Sequence, residues 1–96
     1  MRLTPRQRNI IRAIVARYAG AAARILVFGS RASDESRGGD IDLLLETEQG
    51  LPALERARLQ HDLQQALGIA VDLVFYVRGR SPTPFQEIAL TRGLPL

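Results

Sequence analysis

The chain contains no cysteine, no lysine, no tryptophan and a single histidine, His61. Without thiols there can be no disulfide and no thiolate metal site, and one imidazole is too few for a zinc centre. Any metal here must be a hard cation held by oxygen, with magnesium the first candidate. No apolar run approaches the length that crosses a bilayer, and the N-terminus lacks a signal peptide's apolar middle region. A cytoplasmic protein with no membrane association is therefore expected. The missing lysine removes one common device for gripping a triphosphate.

What remains is ordinary in bulk and uneven in detail. Ninety-six residues, nearly half of them apolar, fit one domain spanning residues 1–96. Residues 1–37 carry eight arginines against Asp34 and Glu35, while residues 38–96 carry five against eight acids. A basic half beside an acidic one suggests an anionic ligand or an acidic partner. For most single arginines a solvated helix face is the plainer explanation.

Thr4-Pro5-Arg6-Gln7 reads as a helix start, with threonine as N-cap, proline at the first helical position and glutamine closing a capping box. Ile10, Ile11, Ile14, Val15 and Tyr18 follow at helical spacing, and Gly20 ends the segment. Ile25–Phe28 is a short buried strand bounded by Gly29. A helical turn after Ser30 and a polar loop to residue 39 lead to a second strand from Asp40 to Glu46. Pro52 opens a second helix with Leu59, Leu63, Ala66 and Leu67 on its apolar side and Gly68 as its cap. Residues 70–77 form a third strand, and a last helix runs from about Phe85 to Arg92 and stops at Gly93. The order is α-β-β-α-β-α around a small sheet.

Asp40 and Asp42 stand one residue apart in an otherwise apolar run, Asp40-Ile41-Asp42-Leu43-Leu44-Leu45. An extended backbone turns both carboxylates to one face and Ile41, Leu43 and Leu45 to the other. Two anions so close repel, and a divalent cation relieves them. Asp72 repeats the anomaly in the third strand, where an unpaired charge is costly. If the two strands are neighbours, three carboxylates meet at one sheet edge. Such a set can hold two magnesium ions about 3.5–4 Å apart for an in-line displacement at phosphorus. Asp40 and Asp42 would bridge the metals; Asp72 would complete one site and take or orient the proton of the incoming hydroxyl.

Gly29-Ser30 supplies a small-residue turn that lets backbone approach an oxyanion, and Arg31 is the first candidate for a forked contact with phosphate oxygens. Arg37 is the second candidate. Each piece has a plain alternative: a simple turn, or carboxylates paired with arginine. His61 reads as a surface residue, and Tyr18 and Tyr76 as core or rim residues rather than stacking platforms.

Gly29-Ser30, nine intervening residues, and then Asp40-Ile41-Asp42-Leu43-Leu44-Leu45 resemble the signature of the DNA polymerase β nucleotidyltransferase superfamily. The small size, Gly29-Ser30-Arg31-Ala32 and Val71-Asp72-Leu73-Val74 resemble its minimal nucleotidyltransferase (MNT) branch. The resemblance implies an α/β (α+β) fold with a mixed sheet of three or four strands flanked by helices. It also implies a triphosphate at Gly29, Ser30 and Arg31, and magnesium at Asp40 and Asp42 with Asp72 as third acid. Many such proteins are antitoxins to a HEPN-domain ribonuclease toxin, and some transfer AMP from ATP to a tyrosine of that toxin. Many antitoxins of the branch have one more residue between the serine and the first aspartate, which bears on the phosphate contacts rather than the carboxylates.

The resulting expectation is a magnesium-dependent nucleotidyltransferase moving AMP from ATP to a protein hydroxyl, with a HEPN toxin as partner. The rival is a non-catalytic binding module that neutralises its partner by complex formation. Direct nucleic-acid binding through Arg8 and Arg12 of the first helix ranks last, because no aromatic residues interleave them. So small a domain is expected to work with a partner or by self-association.

Overall fold

The computed structural model describes residues 1–32 and 39–96. Its first helix, α1 (Pro5–Ala19), starts as the sequence dictates. The Thr4 hydroxyl accepts from the Gln7 amide at 3.0 Å, and the Gln7 side-chain oxygen accepts from the Thr4 amide at 2.9 Å. Two of the donors that every helix start leaves unpaired are thereby satisfied. The helix buries Ile11, Ile14 and Val15.

A four-stranded mixed sheet forms the centre, in the order β3-β2-β1-β4. The strands are β1 (Arg24–Phe28), β2 (Ile41–Thr47), β3 (Val71–Val77) and β4 (Leu94–Pro95). β1 runs antiparallel to β2, with Phe28 opposite Asp42. β2 and β3 are parallel, and α2 (Ala53–Leu67) makes the crossover that parallel neighbours require. Both faces of β2 are covered, so its leucines form a continuous buried run rather than an alternation. Ile41, Leu43 and Leu45 pack with Val27, Val71, Leu59, Leu63 and the α1 stripe in the main core. Leu26 and Leu44 pack on the opposite face with Ala89 of α3 (Pro84–Arg92). Each of these leucines is fully buried, and such burial contributes about 1.5–3 kcal/mol per side chain.

The α-β-β-α-β-α order holds, and the differences from expectation are local. β2 begins at Ile41, so Asp40 stands just ahead of the strand rather than in it. Ala66 is exposed on α2. α3 begins at Pro84 behind a second capping box, Thr83 with Gln86. β4 is an addition: two residues paired with Leu26 and Val27 at the sheet edge, where a proline costs no interior hydrogen bond. Among the described residues no helix is long and apolar enough to cross a membrane.

Candidate active site

Strand parity decides which carboxylates meet. Since Ile41 and Leu43 face α1 and α2, Asp42 between them faces the α3 side of the sheet, as Leu44 does. Asp72 is its direct partner in the parallel register. The Ile41 amide donates to the Ala70 carbonyl at 3.0 Å, so the two strands start together and Asp40 sits at their common mouth. Two glutamines of α2 fix this start. Gln64 accepts from the Val71 amide at 3.0 Å, and Gln60 donates to the Val71 carbonyl at 2.9 Å. The residue before Asp72 is thus held on both of its backbone groups.

The electrostatics follow from this placement. Asp42 is partly buried, while Asp40 and Asp72 are exposed. Burial pushes the Asp42 carboxyl above the usual aspartate range, and Asp72 pushes it further by its charge and by sharing a hydrogen bond. The charge of Asp40 adds to the effect. Like charges facing one another are the reverse of a stabilising pair, and their natural relief is a proton or a cation.

Gly29 closes the site from the other side. It starts a 3₁₀ turn, Gly29–Ala32, directly after β1 and adopts φ +67°. A Cβ built on it would overlap the Asp42 carboxylate and stand 3.1 Å from Cγ. Only glycine allows both the left-handed backbone and this approach of the turn to the acid. Ser30 and Arg31 follow in the same turn. The Arg31 guanidinium joins three segments: Nη1 donates to the Arg2 carbonyl at 3.2 Å and Nη2 to the Gly39 carbonyl at 3.0 Å. The Arg2 amide donates back to the Arg31 carbonyl at 2.7 Å. Arg31 therefore ties the N-terminal segment and the residue before Asp40 to the Gly29 turn. Arg37 lies outside the described residues.

The structure brings together Gly29, Asp42 and Asp72, with Asp40 at the rim and Arg31 behind the turn. His61 is exposed on α2, Tyr18 donates its hydroxyl to Asp62, and Tyr76 donates to the Arg80 carbonyl. Sequence reading missed Gln60, Gln64 and Arg2. The only available signal was the four-residue spacing of the glutamines, which puts both amides on one helix face.

The donor set is carboxylate oxygen throughout, which suits magnesium and not a soft metal. Among the described residues, no group of three or more acidic or histidine side chains already closes around one point. The fit therefore rests on donor chemistry and on the crowding at Asp42. Two clefts, of about 360 Å³ beside Tyr18 and Thr47 and about 370 Å³ beside Arg12 and Ile25, do not include these carboxylates.

Comparison with known proteins agrees with the geometry. Residues 8–94 match the family of the nucleotidyltransferase domain. A Methanocaldococcus jannaschii protein, MJ0435, provisionally named a protein adenylyltransferase, is 39% identical over 54 residues. That match covers 55% of this chain and 58% of the relative, little more than half of either. A solved structure provisionally described as a minimal nucleotidyltransferase superposes with a TM-score of 0.68 at 35% identity, covering 95% of this chain and 89% of that one. The MntA–HepT toxin–antitoxin structure gives 0.70 at 25% identity over 96% of this chain and 70% of that one. The structure of a tri-AMPylated Shewanella oneidensis HEPN toxin in complex with an MNT antitoxin gives 0.64 at 27% identity, with 93% of this chain and 70% of the matched one covered.

Proposed function

The chain belongs to the nucleotidyltransferase domain family, and from that premise we propose that it transfers AMP from ATP to a hydroxyl of a partner protein. The proposed partner is a HEPN-type ribonuclease toxin, the acceptor a tyrosine, and the chain its antitoxin. The observation that carries the reading is the Asp42 carboxyl, crowded by Asp72 and Asp40 and pressed against the Gly29 turn. A structural acid would be paired with a base; this one faces two other acids.

Asp40, Asp42 and Asp72 would hold magnesium, which supplies charge neutralisation at the phosphates when bound. The Gly29 turn sets the phosphates against Asp42. The acceptor oxygen attacks the α-phosphorus, the bond from that phosphorus to the bridging oxygen breaks, and pyrophosphate leaves. Asp72, exposed and directly opposite Asp42 in the register, receives or orients the acceptor's proton. Labelled ATP incubated with the chain, magnesium and the cognate partner should label the partner. Transfer that survives Asp40→Asn together with Asp42→Asn would refute the assignment.

The masking alternative is favoured by one feature. Phe85 and Ile88 of α3 are 58% and 55% exposed, and the Phe85 ring meets Phe28, the residue before Gly29, edge to face at 5.9 Å. An apolar surface beside the carboxylates suits a protein partner whether or not chemistry follows. Co-expression separates the two: protection by the double asparagine variant supports masking, and loss of protection supports transfer.

A further inference from the structure

Arg31 is the expected phosphate cation, yet both of its terminal nitrogens donate to backbone carbonyls, of Arg2 and Gly39. Its guanidinium holds the turn together before any ligand arrives. Arg2 is placed differently. Its amide donates to the Arg31 carbonyl and its carbonyl accepts from Arg31, so its main chain is pinned on both sides to the Gly29–Ala32 turn. Its side-chain Nε and Nη2 are buried, and neither has a hydrogen-bond partner among the described residues. Buried N–H groups of a charged side chain are seldom left unpaired, because desolvation is then uncompensated. These two nitrogens form one edge of the guanidinium plane, and that edge offers two parallel N–H donors spaced to meet two oxygens of one phosphate.

We propose that Arg2 is the phosphate-gripping residue of this chain, taking the terminal phosphates of the nucleoside triphosphate through its Nε–Nη2 edge, with Arg31 as the strut that positions it. This rests on the nucleotidyltransferase reading above. Arg2 then discriminates by phosphate number: it recognises the part of ATP that leaves as pyrophosphate and is indifferent to AMP.

The test is calorimetric titration of the full chain with ATP, AMP, tripolyphosphate and inorganic phosphate in the presence of magnesium. Arg2→Gln should weaken ATP and tripolyphosphate by about tenfold or more, the value of a charge-assisted forked contact, and leave AMP within about twofold. Arg12→Gln, at an exposed position of α1, should change none of them. Arg2→Lys keeps charge and stem but loses the fork. It should melt like wild type and still lose ATP preference over AMP, which a merely structural role would not produce. An unchanged ATP-to-AMP ratio in a folded Arg2 variant, with wild-type AMP transfer intact, overturns this inference alone. A wild-type chain that binds no nucleotide overturns it together with the proposed function. Loss of inorganic phosphate binding with ATP affinity intact also overturns it, since Arg2 would then hold a free anion only.

Discussion

Replacing Gly29 by alanine tests the contact that joins the turn to the carboxylates. The perturbation has two parts. An L side chain at φ +67° costs about 1–2 kcal/mol in backbone strain, partly offset by about 0.4–1 kcal/mol from stiffening the unfolded chain. The new methyl would also overlap the Asp42 carboxylate, which has to turn away from the site. Gly68 provides a matched control: its φ is +68°, and a Cβ there meets nothing within 4 Å. Gly68→Ala should therefore report strain alone, about 1 kcal/mol. Gly29→Ala should cost about 2–3 kcal/mol, a fall in Tm of roughly 10–20 °C for a domain of this size. Urea or thermal denaturation of both variants gives the difference. Asp42→Ala should restore much of the loss in the Gly29→Ala background, because the opposing Cβ would then lie at an ordinary 3.4 Å. Equal costs at the two glycines, or a double-mutant coupling below about 0.5 kcal/mol, would refute the contact.

Further outcomes follow from the same site. The raised Asp42 carboxyl binds its proton more tightly folded than unfolded. The stability it contributes is complete below the ordinary aspartate range and is lost as pH rises through the raised folded value. The wild-type-minus-Asp42→Asn difference in Tm should accordingly fall across the mildly acidic range; a flat difference would contradict the crowding. At neutral pH, millimolar magnesium should raise the melting temperature of wild type but not of the Asp40→Asn, Asp42→Asn variant, read by scanning fluorimetry. Arg31→Ala removes two charged donors from backbone carbonyls and should destabilise by about 2 kcal/mol, with hydrogen exchange accelerating at the N-terminal segment and near Gly39 together. Thr83→Ala should cost about 1 kcal/mol by uncapping α3, seen in chemical denaturation.

Much of this molecule is written in short-range chemistry. Thr4-Pro5-Arg6-Gln7 specifies the α1 start because the cap uses only neighbouring atoms. The same logic at Thr83-Pro84-Phe85-Gln86 was hidden among Ser81, Pro82 and Pro84, which read as loop, although Pro84 occupies the first helical position. β4 carried no signal of its own: two residues, one of them proline, are a strand only because Leu26 and Val27 lie beside them. At the site, period-two spacing gave Asp42 its face, and the neighbouring strand put Asp72 opposite it. Asp40 sits outside the strand because pairing begins at Ile41, opposite Val71. The clamp of Gln60 and Gln64 on Val71, and of Arg31 on Arg2 and Gly39, joins residues distant in sequence, and local patterns do not report such partners.

The parallel pairing of β2 with β3 also carries a kinetic consequence. Asp42 and Asp72 become neighbours only when the chain has closed the crossover between β2 and β3, one of the slower kinds of contact for a small domain to make. No partly folded species that lacks this closure can own the site, so a ligand that needs both acids binds the native state alone. Its binding energy then becomes folding energy, growing with the logarithm of free ligand above its dissociation constant. For such a chain, the supply of nucleotide and divalent cation would set how long the folded protein survives as well as how fast it turns over.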